Sequence, residues 1–301
     1  MSEEAALRAW AAGRDPEDIS ARLSGAALVD HRPVGTALLP LLVLAPLADS
    51  ARLHVSLRSP RVLDLSGMGL TALPDALCDW RTLHTLHLSD NALIALPDRI
   101  GDLSALIGLL IWGNRLTTLP DSIGALSSLV VLYAWDNALT TLPARIGRLP
   151  VLEDLNLSNN ALAALPEGIG GLSSLRWINL WDNALTALPA SIGRLTRLQT
   201  LRADHNALTA LPDSIGDLAG LEWLDVSHNS LTVLPASVGT LVGLQGLFLA
   251  GNALPSLPKT IAGLVNLRKL TLSENPLADV SALVSALPLL TEMDTDLHVP
   301  S

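Results

Sequence analysis

The chain has 301 residues, with 19 Lys and Arg against 29 Asp and Glu for a formal charge of −10, and 49% of it is hydrophobic while only 3% is aromatic. The acidic balance, with Lys259 and Lys269 the only lysines, argues against sequence-independent nucleic-acid binding, which relies on phosphate neutralisation. A single cysteine, Cys78, excludes an intrachain disulfide or a Cys-rich zinc site and fits a reducing compartment, and a chain with one Phe and one Tyr must build its core from aliphatic side chains, which points to a repeated packing unit.

The first 58 residues are expected to form a helical N-terminal capping region. Ser2 can N-cap a helix carrying Leu7 and Trp10, Asp15-Pro16 can start a second carrying Ile19 and Leu23, and the apolar run Leu38 to Leu47 would cover the first repeat. Glu3 and Glu4 stand where a secretory leader needs a basic region. Although the mean hydropathy is +0.41, the longest charge-free apolar stretch, Pro33 to Ala48, holds 16 residues and three prolines. A bilayer span needs roughly 20, so no membrane association is expected.

From residue 59 to 278 the chain divides into about ten units. Asn91, Asn114, Asn137, Asn160, Asn183, Asn206, Asn229, Asn252 and Asn275 recur every 23 residues, each in a frame such as Leu83, Leu86, Leu88, Asn91, Leu93, Leu96, Pro97, Ile100, Leu103. A weaker copy precedes them, with Met68 in place of Asn, and an eleventh begins at Leu290 and Met293. Apolar residues five and three before each Asn, with variable residues six, four and two before it, make the alternation of a half-buried strand, and one strand per unit must pair in parallel with its neighbours. The Asn amide is expected to bond backbone groups where the chain leaves the strand. Pro six residues later marks an irregular return arc, and the Gly of the Ile-Gly step is expected to ease a turn. Residues 279–301 are expected to close the far end, with Asp279 capping a short helix through Val280, Leu283 and Val284, followed by Leu287, Leu289 and Leu290.

This frame, LxxLxLxxNxLxxLPxxIGxL, resembles the leucine-rich-repeat family in its 23-residue form over about residues 60 to 298. The resemblance implies an α/β repeat solenoid, a curved horseshoe or arc with a parallel sheet on its concave side and irregular convex arcs. The LPxxIGxL half is similar to intracellular Ras-binding scaffolds, plant Ras-group-related repeat proteins, and bacterial repeat proteins and effectors. It implies a partner protein, with a small GTPase as the family-based guess, and a cytoplasmic location or, alternatively, delivery into a host cell.

No glycine-rich phosphate loop, GxSxG elbow, HExxH or CxxC is present, so no catalytic residue and no cofactor are expected, and Cys78 and Trp80, which fall at the Gly and Leu of the IGxL step, read as packing residues. The aromatics carry the stronger signal. Trp112, Trp135 and Trp181 lie two before the Asn, Tyr133 and Phe248 four before, and Trp177 and Trp223 six before, so seven of the nine aromatic residues are expected on the concave face. Trp112 and Trp135 share a column in adjacent units and can stack, with Tyr133 beside Trp135. Exposed Trp and Tyr are frequent interface anchors, while rings on a sheet can also serve only to cover its backbone. The same columns carry Asp136, Asp154, Asp182, Asp204 and Asp225, with only Arg202 and Lys269 opposing, which favours a protein partner with a basic surface; the chain itself is expected to be a monomer. Two alternatives stay open: a carbohydrate or cell-wall ligand stacked on Trp, and a metal-dependent enzyme using His205 and His228, expected on neighbouring strands with Asp182, Asp204 and Asp225 nearby. A solvated polar turn is the plainer account of those histidines.

Overall fold

The structure, a computed structural model, describes residues 61–278, 280 and 285–295. The expected helical cap over 1–58, and most of the helix expected to start at Asp279, lie outside the described residues.

Among the described residues, eleven parallel strands follow one another in one open, curved sheet in chain order. They are β1 (Val62–Asp64), β2 (Thr85–His87), β3 (Gly108–Leu110), β4 (Val131–Tyr133), β5 (Asp154–Asn156), β6 (Trp177–Asn179), β7 (Thr200–Arg202), β8 (Trp223–Asp225), β9 (Gly246–Phe248), β10 (Lys269–Thr271) and β11 (Glu292–Asp294). The register steps by one repeat, for example Leu63 opposite Leu86 and Leu86 opposite Leu109. Each strand is three residues long, too short to stand alone, and gains its stability from the neighbours on either side. The middle residue of every strand from β1 to β10 points into the core, where Leu86, Leu132, Leu155 and Leu247 are fully buried. That core is one continuous file of mostly Leu and Ile from Leu63 to Leu287, with Cys78 and Trp80 inside it as packing residues.

The Asn column knits consecutive repeats together. Asn160 Nδ2 donates to Leu157 O of its own repeat and Ala134 O of the preceding one, both at 3.0 Å, while its Oδ1 accepts from Leu139 N at 2.9 Å. The same set recurs at Asn91, Asn114, Asn137, Asn183, Asn206, Asn229, Asn252 and Asn275. Each side chain thereby satisfies backbone groups that the bend out of the strand leaves without ladder partners.

The return arcs are short 3-10 turns, such as Asp121–Ala125, Ala144–Arg148 and Ala190–Arg194. Proline stands just before each of these, and its carbonyl accepts the first hydrogen bond of the turn, as Pro120 O does from Ile123 N at 3.0 Å. The glycine of the Ile-Gly step has a different reason from the one expected. No left-handed backbone occurs there; instead a Cβ on Gly147 would run into the carbonyl of Gly168 in the next arc. Small size lets successive arcs stack closely. In the first arc this step is Cys78, and the arc after it, Ile100–Asp102, has three residues where the others have five.

Candidate functional site

The first and third residues of each strand, and the residue two before each Asn, alternate away from the core and form the concave surface. All seven aromatic residues expected on this surface share it, but they divide into two groups. Trp112 and Trp135 stack with centroids 4.5 Å apart and planes 7° from parallel. Tyr133 and Trp177, two strands apart, meet edge to face at 6.5 Å across β5. Beneath them lies a second buried apolar cluster of Ile107, Leu110, Val130, Val131 and Tyr133, on which Trp112, Trp135 and Trp177 pack. Tyr133, expected as a surface ring, is only 5% exposed because it belongs to that cluster. The other group is open: Trp181 and Trp223 are 37% and 38% exposed. Trp223 lies against Gly246 and stacks on Phe248 at 6.1 Å, where any Cβ on the glycine would meet the indole. Lys269 Nζ sits 5.8 Å from the Phe248 centroid and 3.0 Å from Glu292.

The acids on this face are not equivalent. Asp154, read from sequence as a surface acid, is 3% exposed, and burial, helped by the neighbouring Glu153, pushes its carboxyl up to about 7. Burial and then the charge of Asp204 raise Asp225, whose Oδ1 accepts from Ser227 N and Oγ. Asp204 is itself buried, with Arg202 Nη2 at 3.4 Å from both of its carboxylate oxygens. Asp136 and Asp182 remain exposed.

Asp136 and Asp182 belong to a column with its own backbone logic. The residue just before each Asn has positive φ: Asp90, Asp136, Asn159, Asp182, His205, His228 and Glu274 at 50 to 57°, with Gly113 and Gly251 completing the series and Gly67 before Met68 in the first repeat. Asn, Asp, His and Gly tolerate this left-handed conformation best, so apart from Glu274 the column holds them for backbone reasons before any ligand is considered. His205 and His228 are explained in this way. Their rings lie 4.4 Å apart, and His205 Nδ1 is 3.2 Å from both Trp181 Nε1 and Asp204 Oδ2. Trp181 can only donate there and Asp204 can only accept when ionised, so the two contacts call for opposite protonation of the same nitrogen. Among the described residues no three His, Cys, Asp or Glu side chains converge at metal-binding spacing, and no helix is long and apolar enough to cross a membrane.

Sequence reasoning missed the aliphatic patch beneath the rings. Its signal was present in Ile107, Leu110, Val130 and Val131, which occupy outward columns that hold Thr, His, Glu, Arg or Asp in other repeats.

A family profile described as leucine-rich repeat region matches residues 45–161 and 144–227, and a second, leucine rich repeat, matches 219–277. No curated protein matches the chain. Among solved structures, the leucine-rich-repeat ectodomain of the plant membrane receptor kinase GASSHO1/SCHENGEN3 from Arabidopsis thaliana, in complex with CASPARIAN STRIP INTEGRITY FACTOR 2, is 36% identical. It covers 71% of this chain and 27% of its own, with a TM-score of 0.63. The plant peptide hormone receptor RGFR1 in complex with RGF2 is 29% identical over 78% of this chain and 47% of its own, with a TM-score of 0.56. Internalin C2 from Listeria monocytogenes is 26% identical over 64% of this chain and 82% of its own, with a TM-score of 0.56. This chain therefore spans less than half the length of either plant receptor.

Proposed function

The chain belongs to the leucine-rich-repeat family, and from that premise we propose that it is a non-catalytic interaction module that receives a partner protein on its concave face. The observation that carries this reading is the pair of open rings, Trp181 and Trp223, set on one sheet surface among Asp182, Asp204 and Asp225. Large exposed indoles are costly to leave in water and are frequent energetic anchors of interfaces. The acids around them select a partner with Arg or Lys flanking an apolar protrusion, through steering and cation–π contact. That GASSHO1/SCHENGEN3 and RGFR1 were solved with bound partners supports a protein or peptide ligand here.

The test begins with a partner identified by affinity purification and mass spectrometry and then purified. Trp181→Ala and Trp223→Ala should each weaken its binding by about 2 kcal/mol, roughly thirtyfold, with an unchanged melting curve. Unchanged affinity in both variants contradicts the reading. Trp135→Ala is a poorer probe, because that ring is packed on the chain's own apolar cluster.

A further inference from the structure

We propose that Asp154 is a receptor for one arginine side chain of the bound partner, its guanidinium parting the Tyr133 and Trp177 rings that meet over it to pair with the carboxylate. This rests on the concave face being the binding face and names a chemical group that it recognises. Asp154 opens β5 between Val131 of β4 and Trp177 of β6. The Tyr133 and Trp177 rings lean toward each other from the two flanking strands and meet edge to face over this strand. Beneath them the carboxyl is almost wholly removed from solvent, and among the described residues its Oδ2 has no hydrogen-bond partner.

A buried carboxyl oxygen left unpaired is unfavourable, and no described residue offers a remedy. Among the described residues, the titratable groups close to it are Glu153 just before its own strand, Tyr133 on β4 and Arg176 leading into β6. Arg176 is the one cation among them, and it faces outward against Glu153 at 3.6 Å. The neighbouring Asn156 is also engaged, its Oδ1 accepting from Ser158 N and Oγ. The site thus combines an unpaired acceptor with two aromatic rings. A planar guanidinium satisfies both, because it pairs with a carboxylate through parallel N–H donors and stacks on ring faces, whereas an ammonium is compact and more strongly hydrated. Pairing also favours the ionised carboxylate that burial alone disfavours, so arginine binding should displace the Asp154 proton near neutral pH.

Nα-acetyl-arginine amide is the probe, followed by NMR of the Trp177 indole N–H and the Asp154 carboxyl carbon in the full chain. The expected result is a saturable Trp177 shift in the millimolar range and an Asp154 titration displaced to lower pH. The Trp177 response should be at least about tenfold weaker in Asp154→Asn and absent with the neutral isostere Nα-acetyl-citrulline amide. An equal response to citrulline, an unmoved Asp154 titration, or no saturation in the wild-type chain overturns the proposal. The carboxyl titration of the wild type decides the matter even where the variant folds poorly. Loss of partner binding in Trp181→Ala together with no arginine response at Asp154 would refute this inference and leave the concave-face reading standing.

Discussion

At the scale of single residues, three columns explain most of the chain. The Asn column was legible because its amide is the one side chain in the frame that can both donate and accept at the bend, and the structure gives it those partners. Asn160→Ala strands Ala134 O, Leu157 O and Leu139 N, and should lower stability by about 2–4 kcal/mol while touching no concave residue. An unaltered thermal melt would contradict this. The column before it reads in sequence as a polar turn; its positive φ emerges only from the backbone, which is why His205 and His228 could pass for a metal pair. The Gly column was read as easing a turn, because the distance between successive arcs is a property of stacking that one repeat does not reveal. Burial of Asp154 was hidden for a similar reason, since the rings above it come from β4 and β6. Its carboxyl is raised from 3.8 to about 7, so between these values the folded chain holds a proton that the unfolded chain has released. Stability should therefore fall as pH rises through that window and level off above it. Asp154→Asn removes the fall, and denaturant melts should show it gaining on the order of 4 kcal/mol over the wild type between pH 4 and pH 8.

At the scale of elements, the period-2 pattern located the strands, and the three residues of each now define what faces outward. Seven aromatic side chains were expected on that surface, and all seven lie on its side of the sheet, Tyr133 buried among the others; the pattern could not separate rings that pack from rings that remain open. The distinction depends on neighbours one and two strands away: Trp112 and Trp135 rest on Ile107, Leu110 and Val131, whereas Trp181 is exposed beside His205. Replacing Trp135 by Ala should remove part of this packing and destabilise the chain by about 1–3 kcal/mol, whereas Trp181→Ala should stay within about 0.5 kcal/mol. Chemical denaturation of the two variants distinguishes them, and equal losses would mean that the two groups of rings are not different in kind.

At the scale of the whole molecule, the repeat accounts for a composition that is nearly half hydrophobic yet has few rings. Each unit buries Leu and Ile against its neighbours in one continuous core, so the aromatic minority is left for the concave side. The net charge of −10 acts over this same molecule and should favour a basic partner at long range. Association should accordingly slow as salt is raised from about 50 to 500 mM, with a smaller change in dissociation; a salt-independent association rate would remove charge from the account. The most direct measurement of the central claim is the affinity of the purified partner for the wild type, Trp181→Ala and Trp223→Ala by calorimetry. A loss of roughly thirtyfold in each with melting temperatures unchanged is the predicted result, and undiminished affinity in both variants would contradict a concave binding face.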